Sequence, residues 1–403
     1  MTKNASAMRL VLAVALATGL SIMGDSLMYS LLPIDAPRLG IALPLVGVLL
    51  SANRLVRLVS NTWAANFFAR AGSRLPFLLS AILGAIVAVV YSVGWGFAVF
   101  LLARIGWGVA WSGLRQGGFE AVGQSESHLR GRLMGVLWGT VRLGSAISVV
   151  LGGFLHDRWG YRAAAGTIAA LTVLAIPVAW RIRWHNPQPV LLPENSPPES
   201  GGWRGAIKTP VQRWMLAAGF MDGMFEGALV STASLFLSRQ MGAQSPLVSL
   251  GIGVGTVAGL LLAVRFTADL IFAPVIGAVS DRMGQPKTAI LLAVVMFAAM
   301  AGAVVTPGGW VIGYLVVVFI CGAGLFVTLS AASSHIAARS AVPQLFIGAF
   351  TTANDAGMAA GPLLVYALAD ITGLSPVYLG VLALLLVSVW RFWRVSAKNR
   401  RVI

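Results

Sequence analysis

The hydropathy of the chain rises and falls in long blocks. Apolar runs of about 20 residues with few charges, the length a helix needs to cross the hydrocarbon of a bilayer, recur along all 403 residues. They predict twelve membrane-spanning helices at 8–34, 42–69, 75–94, 97–123, 132–155, 162–180, 213–238, 248–280, 288–306, 309–334, 345–369 and 375–393. The intervals between them are short, with one exception. Residues 181–212 hold Asn186-Pro187, Pro193-Glu194-Asn195, Ser196-Pro197-Pro198-Glu199-Ser200 and Gly201-Gly202, a density of Pro and Gly that marks a linker. This cytoplasmic linker separates an N-terminal six-helix bundle, 1–180, from a C-terminal one, 213–403.

Composition agrees with an all-α polytopic membrane protein. The chain is 58% hydrophobic and 10% charged, against roughly 25% charged for soluble domains. Its net charge of +16 does not point to nucleic acid, because the basic residues sit in small groups between apolar runs. With both termini in the cytoplasm, Arg38, Arg158 and Arg239, with Arg162 at the edge of the sixth run, are the basic residues left on the opposite side. That is the positive-inside bias, which fixes the orientation; the expected location is the bacterial inner membrane, as a multi-pass protein. The first run passes Lys3, Arg9 and Asp25 to reach Pro33 without a cleavage site, so it reads as an uncleaved helix. Cys321 has no intrachain disulfide partner, and His128, His156, His185 and His335 are scattered. No nucleophile with a base and no set of metal ligands is formed by these residues. The chain is therefore read as a non-enzyme without cofactor or metal.

The two halves are related. Leu49-Leu50 and Leu261-Leu262, Arg70-x-Gly72 and Arg282-x-Gly284, Gly144 and Gly357, Asp157 and Asp370, and Gly160 and Gly373 keep one order and nearly one separation. Transporters commonly arise from such repeats, with the substrate site at the repeat interface.

Between the eighth and ninth runs, Gly277, Asp281, Arg282, Gly284 and Lys287 form the pattern G-x-x-x-D-R-x-G-x-x-K. It resembles the cytoplasmic loop signature of the major facilitator superfamily of secondary transporters. Arg104, Gly108 and Ala110 in the fourth run match that family's R-x-x-x-G-x-A pattern. The resemblance covers essentially the whole chain and implies two pseudo-symmetric six-helix bundles working by alternating access. Two departures stand out. Ala69 replaces the aspartate of the first-half loop signature, and Ser148-Val149 replace the Gly-Pro pair that proton antiporters of the family carry in the fifth span, a pair found here as Gly361-Pro362.

Charges inside spans are costly and are functional candidates by default. They are Asp25, Arg54, Arg57, Arg104, Arg115, Glu120, Arg142, Asp222, Glu226, Arg265, Asp269 and Asp355. Spans 3, 6, 9 and 12 carry none apart from Arg162 and Arg391 at the edges of spans 6 and 12, and the family's fold makes those four the lipid-facing ones. The repeat aligns Arg57 with Asp269 and Arg142 with Asp355. Since the family packs span 2 on 11 and span 5 on 8, the resemblance implies gate pairs Arg57–Asp355 and Arg142–Asp269; Asp269 pairing with Arg265 on its own helix is the alternative.

For substrate contact the expected residues are Tyr29, Arg54, Trp107, Trp111 and Arg115. Those of the fourth span recur at helical spacing along one side, a surface suited to an anionic or aromatic solute; simple helix packing is the alternative. For proton coupling the candidates are Asp25, Asp222 and Glu226. Two carboxylates four residues apart do not readily hold both charges in a poorly solvated cavity, which suits one of them to carry a proton; neutralisation by Arg115 or Arg54 is the alternative. The expected protein is a monomeric proton-coupled exporter of a small organic solute. An importer or facilitator of an organic anion, or a membrane sensor on a transporter scaffold, are the other readings.

Overall fold

The computed structural model describes residues 3–126, 129–184, 207–241, 253–306, 308–337, 339 and 343–399. Most of the expected linker, together with His128 and His185, lies outside these residues. The described residues form helices and short turns, without strands.

The helices are α1 (Lys3–Ser21), α2 (Met23–Asp35), α3 (Leu43–Ala71), α4 (Arg74–Val93), α5 (Gly96–Gly123), α6 (Arg130–Val173), α7 (Ala175–Arg181), α8 (Pro210–Met241), α9 (Val254–Ile271), α10 (Ala273–Met283), α11 (Gln285–Val305), α12 (Trp310–Ala337), α13 (Pro343–Leu368) and α14 (Leu374–Asn399). Among the described residues, nine stretches are long and apolar enough to cross a membrane. One of these, Arg130–Arg181, holds two crossings, because the helix breaks at Gly160 with φ 77° and ψ −179°. Helices α8 and α13 make up the twelve. Polar residues such as Asp222, Glu226 and Asp355 lower their mean hydropathy, yet at 32 and 26 residues the helical rise carries each across about 30 Å of hydrocarbon. The protein is thus an all-α, twelve-helix, multi-pass membrane protein.

The repeat is visible in the backbone. Positive-φ glycines that end helices recur in both halves, Gly72 with Gly284 and Gly160 with Gly373. Close approaches recur as well: a Cβ at Gly144 would collide with the carbonyl oxygen of Gly19, joining spans 5 and 1, and one at Gly357 with that of Phe220, joining spans 11 and 7. At the departure noted above, Ser148 Oγ donates to the Met23 carbonyl at 2.6 Å, so the serine that replaces the Gly of the antiporter Gly-Pro pair fastens α6 to α2.

Two compact units emerge. The first comprises 1–191, 233–238 and 246–267, and the second 192–232, 239–245 and 268–403. In the first, α3 packs on α5, while α1, α2 and α4 pack on α6. In the second, α11 packs on α12 and α14. There Tyr366 donates to the Ser231 carbonyl at 2.7 Å, and Asn354 Nδ2 to that of Gly219 at 3.1 Å, holding α13 on α8.

Candidate functional site

In the first unit the α3–α5 seam is tight because Gly108 has no side chain; a Cβ there would come 2.6 Å from the Asn53 carbonyl oxygen. The close approach brings Arg104 of α5 beneath α3 and against α2. Its side chain is fully buried. Nη1 donates to Asp25 Oδ1, Nε to the Leu49 carbonyl at 2.9 Å, and Nη2 to the Tyr29 hydroxyl at 3.4 Å. Asn53 Nδ2 donates to the same Asp25 oxygen at 3.3 Å. A buried ion pair is tolerable only when further hydrogen bonds satisfy its remaining atoms, and this one has them. Asn53 was not legible as a site residue from sequence; its place on α3 one residue before Arg54 was the only hint.

Around this pair lies a layer of cations and rings. Two guanidiniums lie over the Tyr29 ring, Arg104 at 5.4 Å and Arg54 at 5.9 Å from its centroid. Arg57 lies 5.6 Å over Trp111. The centroids of Trp107 and Trp111 are 5.9 Å apart, and Trp138 of α6 continues the series at 6.2 Å from Trp111. These are distances at which guanidinium and ring attract. Helical spacing produces the layer: Asp25 and Tyr29 are one turn apart on α2, and Arg104, Trp107 and Trp111 fall on one side of α5. Of the residues expected to touch substrate, Tyr29, Arg54, Trp107 and Trp111 gather here. Arg115 lies further along α5, over Phe119 at 5.8 Å.

The other expected residues lie elsewhere. Arg142 stands over Phe266 of α9 at 5.9 Å. Asp222 is buried on α8 and Glu226 half-buried one turn later, while Asp269 and Asp355 are half-buried. Asp281 and Arg282 extend the last turn of α10, ahead of the break at Gly284 (φ 87°), and Lys287 opens α11. All three are exposed.

A second polar cluster escaped the sequence reading. It gathers the end of α2, residues 156 and 157 of α6 just past the expected end of span 5 at Leu155, and the start of α9. Asp35, at the end of α2, pairs with His156 Nε2 at 2.6 Å and with Arg38 at 3.3 Å. His156 Nδ1 is 3.5 Å from Asp157 Oδ1. Asp157 then accepts the Gly255 N–H at 3.1 Å, the Thr256 N–H at 2.7 Å and the Thr256 hydroxyl at 2.6 Å. The carboxylates of Asp157 and Asp35 push His156 up to about 9 against its burial. Burial alone would raise Asp157, but the hydrogen bonds from His156, Thr256 and Gly255 outweigh it and hold the carboxyl below its usual range. The one sequence signal was the recurrence of Asp157 and Gly160 as Asp370 and Gly373 in the second half.

The sequence profile of the Major Facilitator Superfamily matches residues 14–263 and again 250–402. The chain belongs to that superfamily. As a member it is a secondary transporter rather than an enzyme, and its surroundings are the lipid bilayer. Among solved structures it is similar to a bacterial homolog of the human lysosomal transporter Spinster, in an inward-facing and unoccupied conformation, with TM-score 0.79, 15% identity and 98% of each chain covered. It is also similar to the nucleoside transporter NupG, with TM-score 0.76, 13% identity, and 96% of this chain and 99% of that one covered. At such identities the likeness speaks for the fold. A search of curated protein sequences finds no match.

Proposed function

We propose that this transporter exports a small organic solute by alternating access in exchange for protons, with Asp25 as the proton carrier. The observation that carries this reading is the buried Asp25–Arg104 pair. Charged, Asp25 is held by Arg104 and Asn53, and α2, α3 and α5 are drawn together around it. A proton arriving on Asp25 cancels the anion and leaves Arg104 with the Leu49 carbonyl and the Tyr29 hydroxyl. The balance between two packings of these helices then shifts by whatever the ion pair contributed, and a conformational equilibrium responds to such a difference between states. Solute seated against Tyr29, Trp107 and Trp111 would meet the same group of residues, so proton and solute are coupled through shared neighbours. Asp222 and Glu226 supply two further carboxylates on α8.

A second reading, import or facilitated passage of an organic anion, is favoured by the Arg54, Arg57 and Trp111 layer and by Ser148 in place of the antiporter Gly-Pro. One experiment tests both. A solute found by ligand-induced thermal shift is supplied to proteoliposomes enclosing a pH-sensitive dye. Export coupling predicts that protons move opposite to the solute in the wild type and that Asp25→Asn abolishes the proton movement. Protons travelling with the solute, or solute uptake without proton movement, would favour the second reading and overturn the first.

A further inference from the structure

The cluster at Asp35, His156 and Asp157 lies apart from the Asp25–Arg104 layer, on the side of the membrane that the chain's crossings place opposite its termini. Helices α6 and α9 meet here with their backbones in contact. A Cβ at Gly153 would collide with the carbonyl oxygen of Gly255, and one at Gly259 with that of Val149. Directly above this glycine contact, Asp157 caps the first turn of α9, where the orphan N–H groups and the helix dipole favour an anion. The start of α9 consequently belongs to the first compact unit, although its sequence belongs to the second half of the chain.

We propose that Asp157 is the latch that closes spans 5 and 8 together on the side opposite the termini, and that His156, set between Asp157 and Asp35, makes that latch responsive to pH. The proposal rests on the alternating-access reading for its use in a transport cycle, since a latch matters only if the two spans also separate; its test below reads the latch itself, without transport. The chemistry is specific. Asp157 offers two oxygens to three donors of α9, and charge-assisted bonds of this kind are about twice as strong as neutral ones. His156 as a cation lies between two carboxylates that would otherwise repel. The other titratable neighbours are already engaged: Arg38 pairs with Asp35, Arg158 lies over Phe154 at 4.7 Å, and the Tyr161 hydroxyl donates to the Tyr91 carbonyl at 2.8 Å. Among the described residues the first turns of α9 bring Thr256 and no charged side chain. The sign follows from the two groups. Opening the seam would admit water around His156 and return it toward its ordinary value of 6.5, so its contribution to closure is complete below that value and fades as pH rises through about 9. The Asp157 contribution is present above the usual carboxylate range and is lost as pH falls below it. Closure is therefore firm at neutral pH and loosens in alkali.

The test is amide hydrogen exchange of the peptide containing Gly255 and Thr256 in the full-length protein, normalised to the intrinsic rate at each pH. Wild type should protect these amides between pH 6 and 8 and lose protection above about pH 9. Asp157→Asn should exchange there about tenfold faster or more between pH 6 and 8, the loss expected of a hydrogen bond to a charged group. His156→Gln should show at neutral pH the weaker protection that wild type reaches only in alkali, without further dependence on pH. Gly135→Ala, with open space around it, should leave the peptide as in wild type and serves as the control for handling. Wild-type protection in Asp157→Asn would overturn the latch, and an unaltered alkaline loss in His156→Gln would overturn the switch. Both results stand whether or not the protein exports protons.

Discussion

Replacing Asp25 by alanine isolates the energetics on which the coupling argument depends. Arg104 is fully buried and Asp25 6% exposed, so water cannot take over the role of the lost carboxylate. The guanidinium keeps the Leu49 carbonyl and the Tyr29 hydroxyl but has no counter-charge from Asp25. Breaking a buried pair by removing one member costs about 3–5 kcal/mol. Asp25→Asn retains an oxygen acceptor and sheds only the charge, so its cost should be nearer 1–3 kcal/mol, in the range of a hydrogen bond to a charged group. Removing both charges with Asp25→Ala and Arg104→Leu should recover much of the loss, because apolar replacements of a buried pair are often close to neutral. Reversible unfolding in mixed micelles, followed by tryptophan fluorescence, gives the four corners of the cycle, and a coupling of about 2–3 kcal/mol is expected. A cost below about 1 kcal/mol for Asp25→Ala, or strict additivity in the double variant, would refute the claim that the two charges hold each other.

Other outcomes follow from the same geometry. Gly144→Ala should destabilise by about 1–3 kcal/mol, since its Cβ meets the Gly19 carbonyl, and unfolding titrations against Gly135→Ala check this. Gly160→Ala forces a side chain into a backbone region that is almost exclusive to glycine, at a cost of about 1–3 kcal/mol, measured as an earlier unfolding midpoint. Arg57→Lys keeps the charge but loses the guanidinium that lies over Trp111. If organic anions bind there, their dissociation constant should rise about two- to thirtyfold, the span of a cation–π contribution, as read by titration calorimetry.

The crossings and the repeat were legible because both rest on local signals: long apolar runs, and glycines such as Gly72 and Gly160 whose positive φ no other residue adopts cheaply. Arg104, Gly108 and Asp25 were also legible, since a charge or a glycine within such a run needs a reason. What the sequence concealed was tertiary pairing. Asn53 is an ordinary polar residue until α5 closes on α3 and turns it toward Asp25. Asp35, His156 and Asp157 sit at the ends of runs, where polar residues are expected and attract no notice, and only the packing of α2, α6 and α9 assembles them. Asp281 and Arg282 differ in a smaller way. They were expected in a short loop and instead extend the last turn of α10, because the helix needs no interruption before Gly284.

Carrier action by alternating access is the claim beneath all of this, and solute counterflow measures it most directly. Proteoliposomes are filled with an unlabelled solute identified by thermal shift and diluted into a trace of the labelled form without any ion gradient. A carrier that exposes one site to each side in turn will draw the label inward transiently above its outside concentration. Simple equilibration of the label, or none entering at all, would contradict the account.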